Sequence, residues 1–124
     1  MDPGPQARRR VLVVDDHADG AEMLATLLRV LGHATFTAGS AAEAIAAARA
    51  FRPDVVLLDL ALPDASGFSV AQALRRDAAT AGARIVGLTG FDTEAHRRKA
   101  AECGLDAYEV KPVLPERLSA ILAG

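Results

Sequence analysis

The chain has 124 residues, 51% of them hydrophobic and 24% charged, which gives room for one core and excludes a disordered composition. Fourteen Lys and Arg against sixteen Asp and Glu leave a net charge of -2, far from the basic footprint of a nucleic-acid binder. The single cysteine, Cys103, has no partner for an internal disulfide, so a cytoplasmic location is expected; no run reaches the ~18 apolar residues of a membrane span.

Pro3, Gly4 and Pro5 mark a flexible lead-in over residues 1–9, ahead of one domain over 10–124. Arg8, Arg9 and Arg10 precede too few apolar residues for a secretory signal. Residues 11–14 are a short strand-forming run that stops at Asp15 and Asp16. Residues 18–31 have helical periodicity and stop at Gly32, a suitable residue to follow a helix. Thr35, Phe36 and Thr37 mark a second strand over 34–38. Ser40 and Glu43 form a capping box that opens an alanine-rich helix to about Phe51. Pro53 separates it from a third strand over 54–58, followed by Asp59.

A loop with Pro63 leads to Ser66, the cap of a helix from Gly67 to about Arg76. After a small-residue loop over 78–83 comes a fourth strand over 84–88, then Thr89 and Gly90. Asp92 is the expected cap of a helix ending near Cys103 and Gly104. A fifth strand over 107–110 precedes Lys111 and Pro112, and a last helix runs from about Pro115 to Leu122.

Strands alternating with helices predict an α/β fold. The form is a single-domain (βα)5 doubly wound parallel sheet of the flavodoxin-like type, in the order 2-1-3-4-5. The first and third strands, apolar apart from Asp54 at the start of the third, belong in its middle. Ligands of such sheets bind beyond the carboxyl ends of the strands. The residues there are Asp15 and Asp16, Asp59, Thr89 and Lys111. Taken singly, each is an ordinary polar strand end. Together they put three carboxylates, a hydroxyl and an ammonium on one edge.

Two carboxylates about 5 Å apart repel by roughly 3 kcal/mol at an effective dielectric of about 20. Three stay ionised only beside compensating cations. Lys111 is one, and an oxygen-liganded ion such as Mg²⁺ would be another. A metal-bound carboxylate beside a hydroxyl and a lysine is equipment for phosphoryl transfer, with Asp59 as nucleophile.

The set Asp15-Asp16, Asp59 followed by Leu62-Pro63 and Ser66-Gly67, Thr89-Gly90 and Lys111-Pro112 resembles the receiver domain of bacterial two-component response regulators, the CheY-like family. The resemblance covers nearly the whole chain. It implies a phosphoacceptor, not a conventional turnover enzyme, in which Asp59 takes a phosphoryl group from a phosphohistidine on a sensor histidine kinase or histidine phosphotransfer protein. It implies Mg²⁺ as cofactor, held by Asp16, Asp59 and the backbone carbonyl of Ala61, with Asp15 contacting directly or through water. Thr89 and Lys111 would bind phosphoryl oxygens, and Tyr108 matches the aromatic switch position. The Lys111–Pro112 bond is expected to be cis. Phosphorylation would switch the surface formed by the fourth helix, fifth strand and fifth helix toward an unidentified downstream protein. Ala61, with no polar side chain, and bulky Phe91 imply slow self-dephosphorylation, while Gly90 leaves room for the acyl phosphate.

The alternative function is a phosphorylation-independent interaction module on the same fold. The chain is either a stand-alone receiver or one excised from a hybrid sensor kinase, and homodimerisation through the last helices stays open. No direct contact with nucleic acid or membrane is expected. Nucleotide-binding glycine motifs are absent, and Asp15-Asp16-His17 does not supply the Asp-x-Asp of haloacid-dehalogenase-type phosphatases. His17 reads as solvent-facing and Cys103 as a small core residue. Met23, Leu27 and Val30 extend the apolar face of the first helix, either as a wide core face or as a docking stripe for the phosphodonor protein.

Overall fold

The computed structural model describes residues 8–90 and 94–123. The expected alternation is present. The elements are β1 (Arg10–Val14), α1 (Ala18–Val30), β2 (Ala34–Ala38), α2 (Ala41–Phe51), β3 (Val55–Asp59), α3 (Gly67–Arg76), β4 (Arg84–Thr89), α4 (Glu94–Glu102), β5 (Ala107–Val110) and α5 (Pro115–Ala123). The sheet order is β2-β1-β3-β4-β5, and every pairing is parallel. The lead-in through Ala7, the expected cap Asp92, and Phe91 lie outside the described residues. Arg9, counted with the lead-in from sequence, is bonded at both backbone groups, its N–H to His33 Nδ1 and its carbonyl to Ala34.

Successive strand residues face opposite sides of the sheet, so each strand feeds two cores. Val11, Val13, Val55, Leu57, Val86 and Leu88 pack against α1 and α5. Leu12, Val14, Val56, Leu58 and Ile85 pack against α2, α3 and α4. β1 from Val11 onward and all of β3 are buried, as two covered faces require. The alanines of α2 (Ala41, Ala44, Ala48) let that helix lie close on the sheet.

Helix ends follow local chemistry. Ser40 Oγ accepts from the Glu43 N–H at 3.2 Å. The reciprocal half of the box differs from expectation, because the Glu43 carboxylate accepts from Gly39 and not from Ser40. Gly32, at φ 97°, ends α1, whereas α2 ends on Arg52 in a left-handed conformation with no glycine to mark it. Ser66 caps α3 through the Ser69 N–H. Arg75 of α3 ties distant loops together. Its guanidinium donates to the carbonyls of Ala81, Ala83 and Gly104 and to the Asp106 carboxylate, which also accepts from the Ile85 N–H.

Candidate functional site

The register fixes which loops meet. Val14 pairs with Leu58, so Asp15 and Asp59 stand side by side one residue further on. Asp59 is itself the last residue of β3, paired with Leu88, and Thr89 closes β4 opposite Val110. The sequence had put both residues just after their strands. The ladder carries each one position further because Leu60 N–H still reaches Leu88 and Lys111 N–H still reaches Thr89. Counted in twos along their strands, Asp15, Asp59 and Lys111 share the parity of the residues facing α1 and α5.

Their side chains meet as that parity requires. Lys111 Nζ donates to Asp59 Oδ2 at 3.0 Å and to Asp15 Oδ2 at 3.1 Å. The other Asp59 oxygen accepts from the Ala61 N–H at 2.9 Å. Asp15 Oδ1 accepts from the His17 N–H at 2.9 Å. Asp59 is 5% exposed at its side chain, whereas Asp16 keeps 33% open to solvent. Ligand atoms from Asp15, Asp16, His17 and Asp59 all lie within 4.8 Å of one another.

Burial pushes the Asp59 carboxyl up, with help from the Asp15 charge; the Ala61 N–H and the Lys111 ammonium offset only part of it. Burial raises Asp15 too, but hydrogen bonds from His17 and Lys111 outweigh it, and the net direction is down. Burial alone would lower Lys111, and its two carboxylate partners instead hold it above the usual lysine value. One ammonium among three carboxylates leaves anionic excess. The donors are mainly carboxylate oxygens, which suits a hard divalent ion.

Thr89 is buried at the end of β4. Tyr108, half-buried in β5, packs on the α2–α3–α4 side, with the Arg97 guanidinium 5.6 Å from its ring centre. The Lys111–Pro112 peptide bond is cis. Gly90 faces open space, with nothing within 4 Å of an added Cβ. The chain beyond Asp59 is pinned by Asp64, whose carboxylate accepts from the Ala41 and Ala42 N–H groups at the start of α2. Sequence reasoning missed that anchor, because 22 residues or more separate the partners.

Met23 and Val30 are 75% and 78% exposed, so the wide core face expected for α1 is narrower than the stripe. Met23, Leu24 and Leu27 border a groove of about 700 Å³ that continues to Lys111, Pro112 and Val113. His17, expected to be merely solvent-facing, is exposed but holds its ring against Asp15 and Asp16. Among the described residues no helix is long and apolar enough to cross a membrane.

A family model for the response regulator receiver domain matches residues 11–123. The DNA-binding response regulator MtrA of Mycobacterium tuberculosis is 43% identical over 113 residues, covering 91% of this chain and 48% of that protein. The probable transcriptional regulatory protein TcrX of the same organism is 44% identical over 116 residues, covering 90% and 49%. The chain therefore spans about half the length of the curated relatives it matches. Among solved structures, the chemotaxis protein CheY4 of Vibrio cholerae is similar at a TM-score of 0.89 and 30% identity, covering 94% of this chain and 98% of that one. A Burkholderia pseudomallei response regulator with a phosphorylated aspartic acid, calcium ion and citrate is similar at 0.85 and 33%, covering 92% and 66%.

Proposed function

Because the chain belongs to the response regulator receiver domain family of two-component systems, we propose that Asp59 is its phosphoacceptor. The donor in this reading is a phosphohistidine on a sensor histidine kinase or histidine phosphotransfer protein. The observation that carries it is the Lys111 ammonium, bonded to Asp59 and Asp15 together at the carboxyl edge of the sheet. The phosphorylated aspartate in the Burkholderia pseudomallei relative supports the same chemistry here.

A carboxylate oxygen of Asp59 attacks phosphorus in line. The P–N bond to the donor imidazole breaks, and its electron pair returns to the ring nitrogen. The Ala61 N–H holds the other Asp59 oxygen and so orients the attack. Lys111 favours the ionised form of Asp59 and then offers its charge to a phosphoryl oxygen. The Thr89 hydroxyl donates to another. Asp15, Asp16, Asp59 and the Ala61 carbonyl would hold Mg²⁺, which when bound supplies positive charge to the transferring oxygens.

Output in this reading passes from Thr89 and Tyr108 to the α4–β5–α5 face, with an unidentified protein as recipient. The groove beside Met23 is where the donor protein docks. MtrA is named as DNA-binding, and the present residues would supply the receiver part of such a protein. Incubation with a small phosphodonor and Mg²⁺, followed by intact-mass measurement, tests the proposal. A gain of one phosphoryl mass that is lost in Asp59→Asn supports it. No gain in the wild type favours the phosphorylation-independent interaction module.

A further inference from the structure

Among the described residues of the acidic cluster, His17 is the one side chain that phosphoryl transfer leaves without a task. It is the N-cap residue of α1, yet its side chain makes no capping hydrogen bond. Its ring turns instead to the acid pair, with Nδ1 3.1 Å from Asp15 Oδ1 and 3.3 Å from Asp16 Oδ1. Two donors held about 2.0–2.1 Å from one ion lie roughly 2.9 Å apart at a right angle and roughly 3.4 Å apart at the tetrahedral angle. Both His17 distances fall inside that interval. The imidazole nitrogen thus stands at ligand spacing from two carboxylates, and an Asp59 oxygen belongs to the same cluster, whose candidate donor atoms all lie within 4.8 Å of one another.

We infer that His17 is a nitrogen ligand that biases this pocket toward transition ions such as Co²⁺, Ni²⁺ or Zn²⁺ relative to Mg²⁺. The inference rests on the proposed reading that a divalent ion sits among Asp15, Asp16 and Asp59. Mg²⁺ takes oxygen donors and keeps much of its water, so an imidazole offers it little. Imidazole suits the later first-row ions, whose affinity for mixed nitrogen and oxygen sites exceeds that of hard ions. As ligand the ring donates its Nδ1 lone pair and carries its proton on Nε2. The receiver would then respond to which ion is available as well as to its phosphodonor.

The test uses the untagged full chain and His17→Ala, titrated separately with Co²⁺ and with Mg²⁺ by calorimetry, with the visible absorption of bound Co²⁺ as a second readout. His17 is 75% exposed at its side chain and makes no cap bond, so the variant keeps the fold; a thermal melt in chelator checks this. The ratio of Co²⁺ to Mg²⁺ affinity is expected to fall about tenfold or more in His17→Ala, with a shift of the Co²⁺ absorption bands as nitrogen leaves the ligand set. An equal ratio and unshifted bands overturn the role of His17 while leaving Mg²⁺ binding and phosphorylation of Asp59 standing. If wild type binds neither ion, the metal reading itself fails and the inference fails with it.

Discussion

Gly67, the first residue of α3, approaches Asp59 so closely that a Cβ built on it would stand 2.4 Å from the Asp59 carbonyl oxygen and 2.7 Å from Leu60 Cα. Both neighbours are backbone, so neither yields without moving the end of β3. Gly67→Ala is therefore expected to cost about 2 kcal/mol or more and to displace Asp59. Urea unfolding and the phosphorylation rate should both register it. Gly82→Ala, with nothing within 4 Å of the added carbon, is the control and should change neither by much.

Lys111 reaches Asp59 and Asp15 with one ammonium, and its removal leaves two carboxylates facing each other. Lys111→Met should slow phosphorylation by a small phosphodonor on the order of 100-fold, the usual loss when a charge-stabilising donor is removed. Mass spectrometry over time measures it. A rate within a factor of about two of wild type would place the stabilising charge elsewhere.

The same contact gives stability a pH dependence. Burial pulls the Lys111 ammonium down, but its carboxylate partners lift it above the usual lysine value in the fold. Its contribution is thus complete below the unfolded value, near pH 10.5, and is lost as pH rises through the folded value. At the acid end, Asp15 is lowered and Asp59 raised, so their contributions oppose and the alkaline limb is the cleaner probe. In metal-free urea titrations, wild type should lose its advantage over Lys111→Met above about pH 10.5. Parallel losses in the two proteins would contradict this.

Arg75 and Arg49 both form ion pairs, with Asp106 at 2.6 Å and with Asp77 at 2.8 Å. Only Arg75 also serves three backbone carbonyls. Arg75→Met should cost about 2–3 kcal/mol, because those carbonyls lose a charged donor. Arg49→Ala, at a side chain 67% exposed, should cost under about 1 kcal/mol. Equal effects in chemical denaturation would mean that the loop clamp holds nothing.

Element types were legible because each carries a local signal: alternation of apolar runs with helical periods, Ser40 and Ser66 as caps, Gly32 at a helix end. Strand ends were less so. Asp59 and Thr89 are polar, and polarity reads as loop until a neighbouring strand supplies hydrogen bonds. The left-handed end of α2 at Arg52 was hidden for a related reason, since the usual marker is a glycine. Asp64 and Arg75 had no signal at all, because their partners lie far away along the chain.

The amino-acid sequence by itself determined the order of strands and helices, the polar residues at the carboxyl edge and the family they resemble. Those follow from short-range periodicity and from which residue types stand at strand ends. Tertiary structure alone decided that Asp15, Asp59 and Lys111 share one side of the sheet, that His17 turns toward the acid pair, and that Met23 stays outside the core. Register and packing set those distances, and both depend on contacts between segments that local sequence does not encode.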